Sequence, residues 1–253
     1  GQSAGSSLTT ATNNIAVGRN TQAGTTASNN TIVGTTAGSA ALGANNTALG
    51  VNTLNSAAVA VTDLVAIGAN ALTDAVTTNG TVAVGSSALT ALTTGATNTA
   101  VGSTAGSTIT TGSSNTLVGH TTASAATASN NTIVGATAGS TALGNNNTSV
   151  GTNTLNSAAA AVTDTVAIGA NALTSALTTG ANGTVAVGSS ALTALTSGAA
   201  NTAIGQNSQQ LVTTGSNNTS VGFAAVDASA VDVVHLVAVG ANALGGAVTA
   251  TAD

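Results

Sequence analysis

An aliphatic residue followed by glycine closes the same short phrase fourteen times along this chain, as in "NNIAVG", "NNTALG", "GTVAVG" and "HLVAVG". The anchor glycines are Gly18, Gly34, Gly50, Gly68, Gly85, Gly102, Gly119, Gly135, Gly151, Gly169, Gly188, Gly205, Gly222 and Gly240. Successive spacings run from 16 to 19 residues. That period is too short for a helical hairpin and suits one turn of a β-solenoid, in which each coil stacks on the last. The expected fold is all-β: a left-handed parallel β-solenoid (a β-roll or β-helix) of about 14 coils of 16–19 residues.

The residue before each glycine is always aliphatic. It is Val17, Val33, Leu49, Ile67, Val84, Val101, Val118, Val134, Val150, Ile168, Val187, Ile204, Val221 or Val239. One place earlier stands mostly Ala, and before that Thr or Val, with Ile15 once. Alternation with period two predicts a strand. On this reading the aliphatic column before glycine is the core, and the Ala column faces out. A second short apolar element follows the glycine, as at Ala71-Leu72 and Ala88-Leu89, and then a polar turn such as Thr94-Gly95. Each coil is therefore expected to run strand, glycine corner, short strand, turn. Coils stacked about 4.8 Å apart would build a rod of roughly 65–70 Å.

A longer period lies over the short one. "TASNNTIVGTTAG" from Thr26 returns as "TASNNTIVGATAG" from Thr127, and "GTVAVGSSALTAL" from Gly80 returns unchanged from Gly183. Six coils thus form a unit of about 101–103 residues, with units starting near residues 13, 114 and 217 and the last abbreviated. Residues 1–12, "GQSAGSSLTTAT", read as a polar lead segment, and residues 13–253 as one solenoid domain. The chain begins with Gly, which reads as a processed product or a fragment.

Composition narrows the function. The chain has one Arg, no Lys, six acidic residues, no Cys and a single aromatic, Phe223. One cation cannot displace many counterions, so no nucleic-acid partner is expected. No run of about 18 apolar residues exists, so no membrane insertion is expected. With two His and no Cys, Lys, Tyr or Glu, the chain is not expected to be an enzyme, and no cofactor or metal site is foreseen. An Asn ladder is expected four places before glycine, at Asn14, Asn30, Asn46, Asn98, Asn115, Asn131, Asn147, Asn201 and Asn218, with a structural role. Asp63, Asp164 and His235 occupy the slot five before glycine in long coils, where they would support the longer turn. Arg19, His120 and Phe223 each follow the anchor glycine at the start of a six-coil unit and form a candidate contact edge. The rival reading is a corner roomy enough for any side chain.

"VAIGANAL" at Val65–Leu72 and again at Val166–Leu173, with "VAVGSSAL" at Val82–Leu89, resembles the head repeats of trimeric autotransporter adhesins. "TTGSNNTSVG" at Thr213–Gly222 and "NTAVG" at Asn98–Gly102 resemble repeats of bacteriophage tail fibres. The resemblance implies a trimeric, surface-attaching structural protein. The expected function is a structural and adhesive rod of an extracellular fibre, located on a cell surface, in a filament or on a virion. Its expected partners are itself, as a homotrimer or end-to-end polymer, and a cell-surface receptor or glycan. A threefold axis is expected to run along the outward Ala column, where small side chains allow close approach. The alternative is a self-assembling filament subunit. An ice-binding solenoid ranks lower, because the partial Thr row (Thr31, Thr47, Thr99, Thr116, Thr132, Thr148, Thr202, Thr219) is broken by Val and shares the parity assigned to the core.

Overall fold

A computed structural model describes residues 1–6, 8–22, 26–38, 42–57, 59–123, 125, 127–139, 143–226 and 233–245. The fold is a parallel β-solenoid with one three-residue strand per coil. The chain divides into two compact units: Gly1–Thr122 with Ala126–Ser129, and Ala123–Ala125 with Asn130–Asp253. The first holds β1 (Ile15–Val17), β2 (Thr31–Val33), β3 (Thr47–Leu49), β4 (Val65–Ile67), β5 (Val82–Val84), β6 (Thr99–Val101) and β7 (Thr116–Val118). The second holds β8 (Thr132–Val134), β9 (Thr148–Val150), β10 (Val166–Ile168), β11 (Val185–Val187), β12 (Thr202–Ile204), β13 (Thr219–Val221) and β14 (Val237–Val239). Within each unit every strand pairs in parallel with the next in chain order, phrase against phrase without slip: Ala66 faces Ala83, and Ala186 faces Ala203. Among the described residues the only helical turn is Thr179–Ala181.

The anchor glycine ends each strand for two reasons. Its φ is positive, for example 139° at Gly85, a region that glycine alone enters without strain. A Cβ there would also stand 2.2 Å from the carbonyl oxygen of Gly102 in the next coil. The corner is thus a stack of backbones with no room between them. Amide groups knit the coils along it: Gly85 N–H donates to Ile67 O, and Gly102 N–H to Val84 O, each at 2.7 Å.

The segment after the corner differs from the expected second strand. It is a run of tight turns, and among the described residues it forms no strand. It nevertheless supplies the core. Leu54, Leu72, Leu89, Leu155, Leu173 and Leu192 are fully buried and all have φ near +50°. A left-handed Leu costs about 1–2 kcal/mol, and burying its side chain returns about 1.5–3 kcal/mol. The interior of the coil is where that exchange is favourable.

The strand parity is the reverse of the sequence expectation. The aliphatic residues Val17, Val33, Leu49, Ile67, Val84, Val101, Val118, Val134, Val150, Ile168, Val187, Ile204, Val221 and Val239 are not core: none is buried, and Val17 and Val239 are 54% and 70% exposed. The inward column is the one before them, with Ala48, Ala66, Ala83, Ala100, Ala167, Ala186 and Ala203 at 0%. The threefold axis imagined along an outward Ala column therefore has no such column to use. The reason is volume. The Leu of the post-glycine turn enters a thin coil and leaves only a methyl's width opposite it. Where the turn carries glycine instead, at Gly38 and Gly139, the inward strand residue grows to Ile32 and Ile133, whereas beside Gly106 it stays Ala100 and Leu89 of the preceding coil reaches the space.

Candidate functional site

Within the strands, inward parity extends two residues back from Ala to the Asn column. Asn30, Asn46, Asn98, Asn115, Asn131, Asn147, Asn201 and Asn218 are all buried. Each amide works along the stack through backbone rather than through other amides alone. Asn30 Oδ1 accepts the Asn46 N–H at 2.8 Å, and Asn46 Oδ1 accepts the Leu64 N–H at 3.0 Å. Asn46 Nδ2 donates to the carbonyls of Gly43 and Val61 at 3.0 and 2.9 Å. The second unit repeats this, with Asn147 donating to Gly144 and Val162. This ladder closes the backbone of the turns, as a structural role requires, and no surface ligand can reach it.

A second ladder stands one residue earlier, outside. Asn13 Nδ2 donates to Asn29 Oδ1, Asn29 to Asn45, and Asn45 to Asp63, at 3.2, 3.2 and 3.0 Å. In the second unit Asn130 donates to Asn146 and Asn146 to Asp164, at 3.3 and 3.0 Å. Each amide gives a proton forward and takes one from behind, so the terminal member needs only to accept. A carboxylate is that acceptor, and the next coil places Gly80 or Gly183 in the column. The bond from Asn45, joined by one from Thr62, holds the Asp63 carboxyl below the ordinary value; Asn146 and Thr163 do the same for Asp164. The two acids thus engage side chains, where support of the turn backbone was expected. His235 sits exposed in the same column with φ 58°. The "NN" doublets carry the signal for both ladders: the first Asn points out and the second in.

Within the first unit the positions after the anchor glycines form one column along the stack. Arg19 and His120 both lie exposed just past their anchor glycines, and the positions between them are bonded coil to coil. Thr36 N–H donates to Arg19 O, Asn52 N–H to Thr35 O, and Thr121 N–H to Ser103 O. The Thr121 hydroxyl lies 3.0 Å from His120 Nδ1. Phe223, in the second unit, is 51% exposed at the equivalent position. The edge carries no converging chemistry: among the described residues no three His, Cys, Asp or Glu side chains gather.

Two polar spots lie inside the coils where the inward residue is Ser. The Ser149 hydroxyl meets Thr154 Oγ1 at 2.6 Å, and Ser220 meets Ser208 and Gln209. These are replacements of Ala and Leu by hydrogen-bonding partners of similar size. They are sealed from solvent.

The surface that sequence reasoning missed is the outer face of the strands. With the parity reversed, each strand shows two residues outward, a Thr or Val (Ile15 in β1) and then a Val, Ile or Leu. Examples are Thr99 with Val101 and Val82 with Val84. The Thr row, assigned inward from sequence, is therefore outward too. No strand residue in either unit is charged. No helix among the described residues is long and apolar enough to cross a membrane.

No known family, no curated protein and no solved structure matches this chain.

Proposed function

We propose that this protein is a structural and adhesive element of an extracellular fibre, related in kind to the tail-fibre and surface-adhesin repeats that its phrases resemble. Copies of the chain associate, with a homotrimer as the assembly, and the outer columns of the coils present the same polar groups again and again to a cell-surface receptor or glycan. The observation that carries this reading is the outer amide ladder Asn13–Asn29–Asn45–Asp63. It is an ordered row of neutral amides ending on one carboxylate, with one side chain per coil. Each contact to such a row is weak, and repetition converts weak contacts into avidity.

The test is retention under flow of protein-coated beads on cell envelopes and on immobilised glycans. Binding should fall steeply as coating density drops, and free monomeric glycan should compete poorly. Retention no greater than that of uncoated beads on every surface would remove the adhesive reading.

A further inference from the structure

The outward strand face demands a covering. In the first unit it consists of the Thr/Val column and the aliphatic column of seven consecutive strands. Val101 and Val118 are each 37% exposed, and Leu49 47%. Scattered exposed aliphatics are ordinary, whereas a contiguous uncharged stripe of them marks a contact surface. The face is ordered by the parallel ladder beneath it, so little conformational freedom remains to be lost on contact.

We infer that this face is the seat of a further copy of the same chain, held aliphatic column against aliphatic column. The inference rests on the reading of the protein as a self-associating structural element, and it names the surface involved. Three observations choose this occupant. The first is the repeat itself. Side chains recur along the face at the strand spacing of about 4.8 Å, and the surface certain to carry the same rise over the same number of coils is this face on another copy. The second is charge. The strands contribute none, and the whole chain carries a formal net charge of −5 over 253 residues, so copies repel little. The third is area. Seven strands with two outward side chains each offer on the order of 400 Å² per unit. One unit alone thus supplies about half of the 800 Å² per partner of a standard stable interface, and the chain carries such a face on each of its two units.

The experiment uses the whole chain. Native mass spectrometry at micromolar concentration should give a two- or threefold multiple of 23.2 kDa. A monomer at that concentration overturns the inference, and thermal hysteresis from such a monomer would assign the face to ice instead. The triple variant Val84→Asp, Val101→Asp, Val118→Asp places charges on outward positions and should return the mass to one chain with the circular dichroism retained. Ser86→Asp with Ser103→Asp, on the exposed corner column, should leave the multiple intact. A folded triple variant that stays associated shows that another face joins the copies, and overturns the proposal. If the triple variant unfolds, thiol labelling decides. The chain has no native cysteine, so Val101→Cys should react at least tenfold more slowly than Ser103→Cys. Equal rates overturn the proposal. An associated protein that binds no surface would sink the adhesive reading while supporting this one.

Discussion

Cγ2 of Ile32 lies 3.1 Å from the point where a Cβ on Gly38 would stand. The same pair recurs as Ile133 with Gly139, at 2.8 Å from Cδ1. The strand residue two before the anchor glycine and the turn residue four after it therefore share one volume inside the coil. Most other coils solve the volume the opposite way, as Ala83 with Leu89 or Ala186 with Leu192, all fully buried. Large faces small in these coils, and the order of the two is free; in the coil of Ala100 and Gly106 both are small, and Leu89 Cδ2 of the preceding coil lies 2.8 Å from where a Gly106 Cβ would stand.

That complementarity predicts a coupling. Ala83→Ile alone overfills its coil and should cost about 1–3 kcal/mol. Leu89→Ala alone leaves a cavity and should cost about 2–5 kcal/mol. The double variant should be more stable than the sum of the two losses allows, by about 1 kcal/mol or more. Urea unfolding of the four proteins measures the cycle; strictly additive losses would show that the two residues do not share a volume.

The glycine corner gives a second contrast. Gly85→Ala would drive a Cβ to 2.2 Å from the Gly102 carbonyl, with φ at 139°. At Gly240, with φ 126°, the nearest atom among the described residues is Ala243 Cβ at 4.0 Å. Both substitutions strain the backbone, but only the first opens the stack. Gly85→Ala should therefore lower the thermal midpoint well beyond Gly240→Ala. Equal shifts would mean that backbone angle alone dictates glycine at the corner.

The sequence specified the coil length, the strand positions, the glycine corner and the Asn ladder, because each repeats at fixed distance from Gly85 and its equivalents. It misassigned the faces. A strand of only three residues, such as Val82–Val84, offers two large outer positions and one small middle one, and hydrophobicity alone votes for the outer pair as core. The deciding information lay elsewhere in the coil, in the turn that carries Leu89, whose left-handed backbone aims a bulky side chain inward. The inverse sizes of Ile32/Gly38 and Ala48/Leu54 were present in the sequence as a clue to that parity. The outer ladder ending at Asp63 was hidden for a related reason: both members of an Asn-Asn doublet look alike until the faces are assigned.

The carboxylate at the end of that ladder predicts a titration. Asn45 and Thr62 donate to ionised Asp63 and depress its pKa in the folded state. A depressed folded value means that the stabilisation is fully present above the unfolded pKa and is lost as pH falls through the folded one. The Asp63 side-chain carbonyl carbon should accordingly titrate below the ordinary aspartate range of about 3.9 in an NMR series. Asn45→Ala removes the larger cause and should move the midpoint upward. A midpoint indifferent to Asn45 would show that the ladder does not end on this group.

Thr81 occupies the inward column where most coils place Asn, and its buried hydroxyl has no hydrogen-bond partner. The neighbouring coil shows what is missing: Asn98 Oδ1 accepts the Asn115 N–H at 2.9 Å, and Asn98 Nδ2 reaches the Gly112 carbonyl at 2.8 Å. A Thr side chain is too short for either task, so it bears the cost of desolvation without a bond in return. Thr81→Val keeps the shape and removes the unmatched group, and should stabilise the protein by about 1 kcal/mol. At Thr184, the equivalent position in the second unit, the hydroxyl does reach the Gly198 carbonyl, at 3.5 Å. Thr184→Val should gain less. Urea midpoints for the two variants separate the cases, and a loss of stability in Thr81→Val would show that its hydroxyl is hydrogen-bonded in solution.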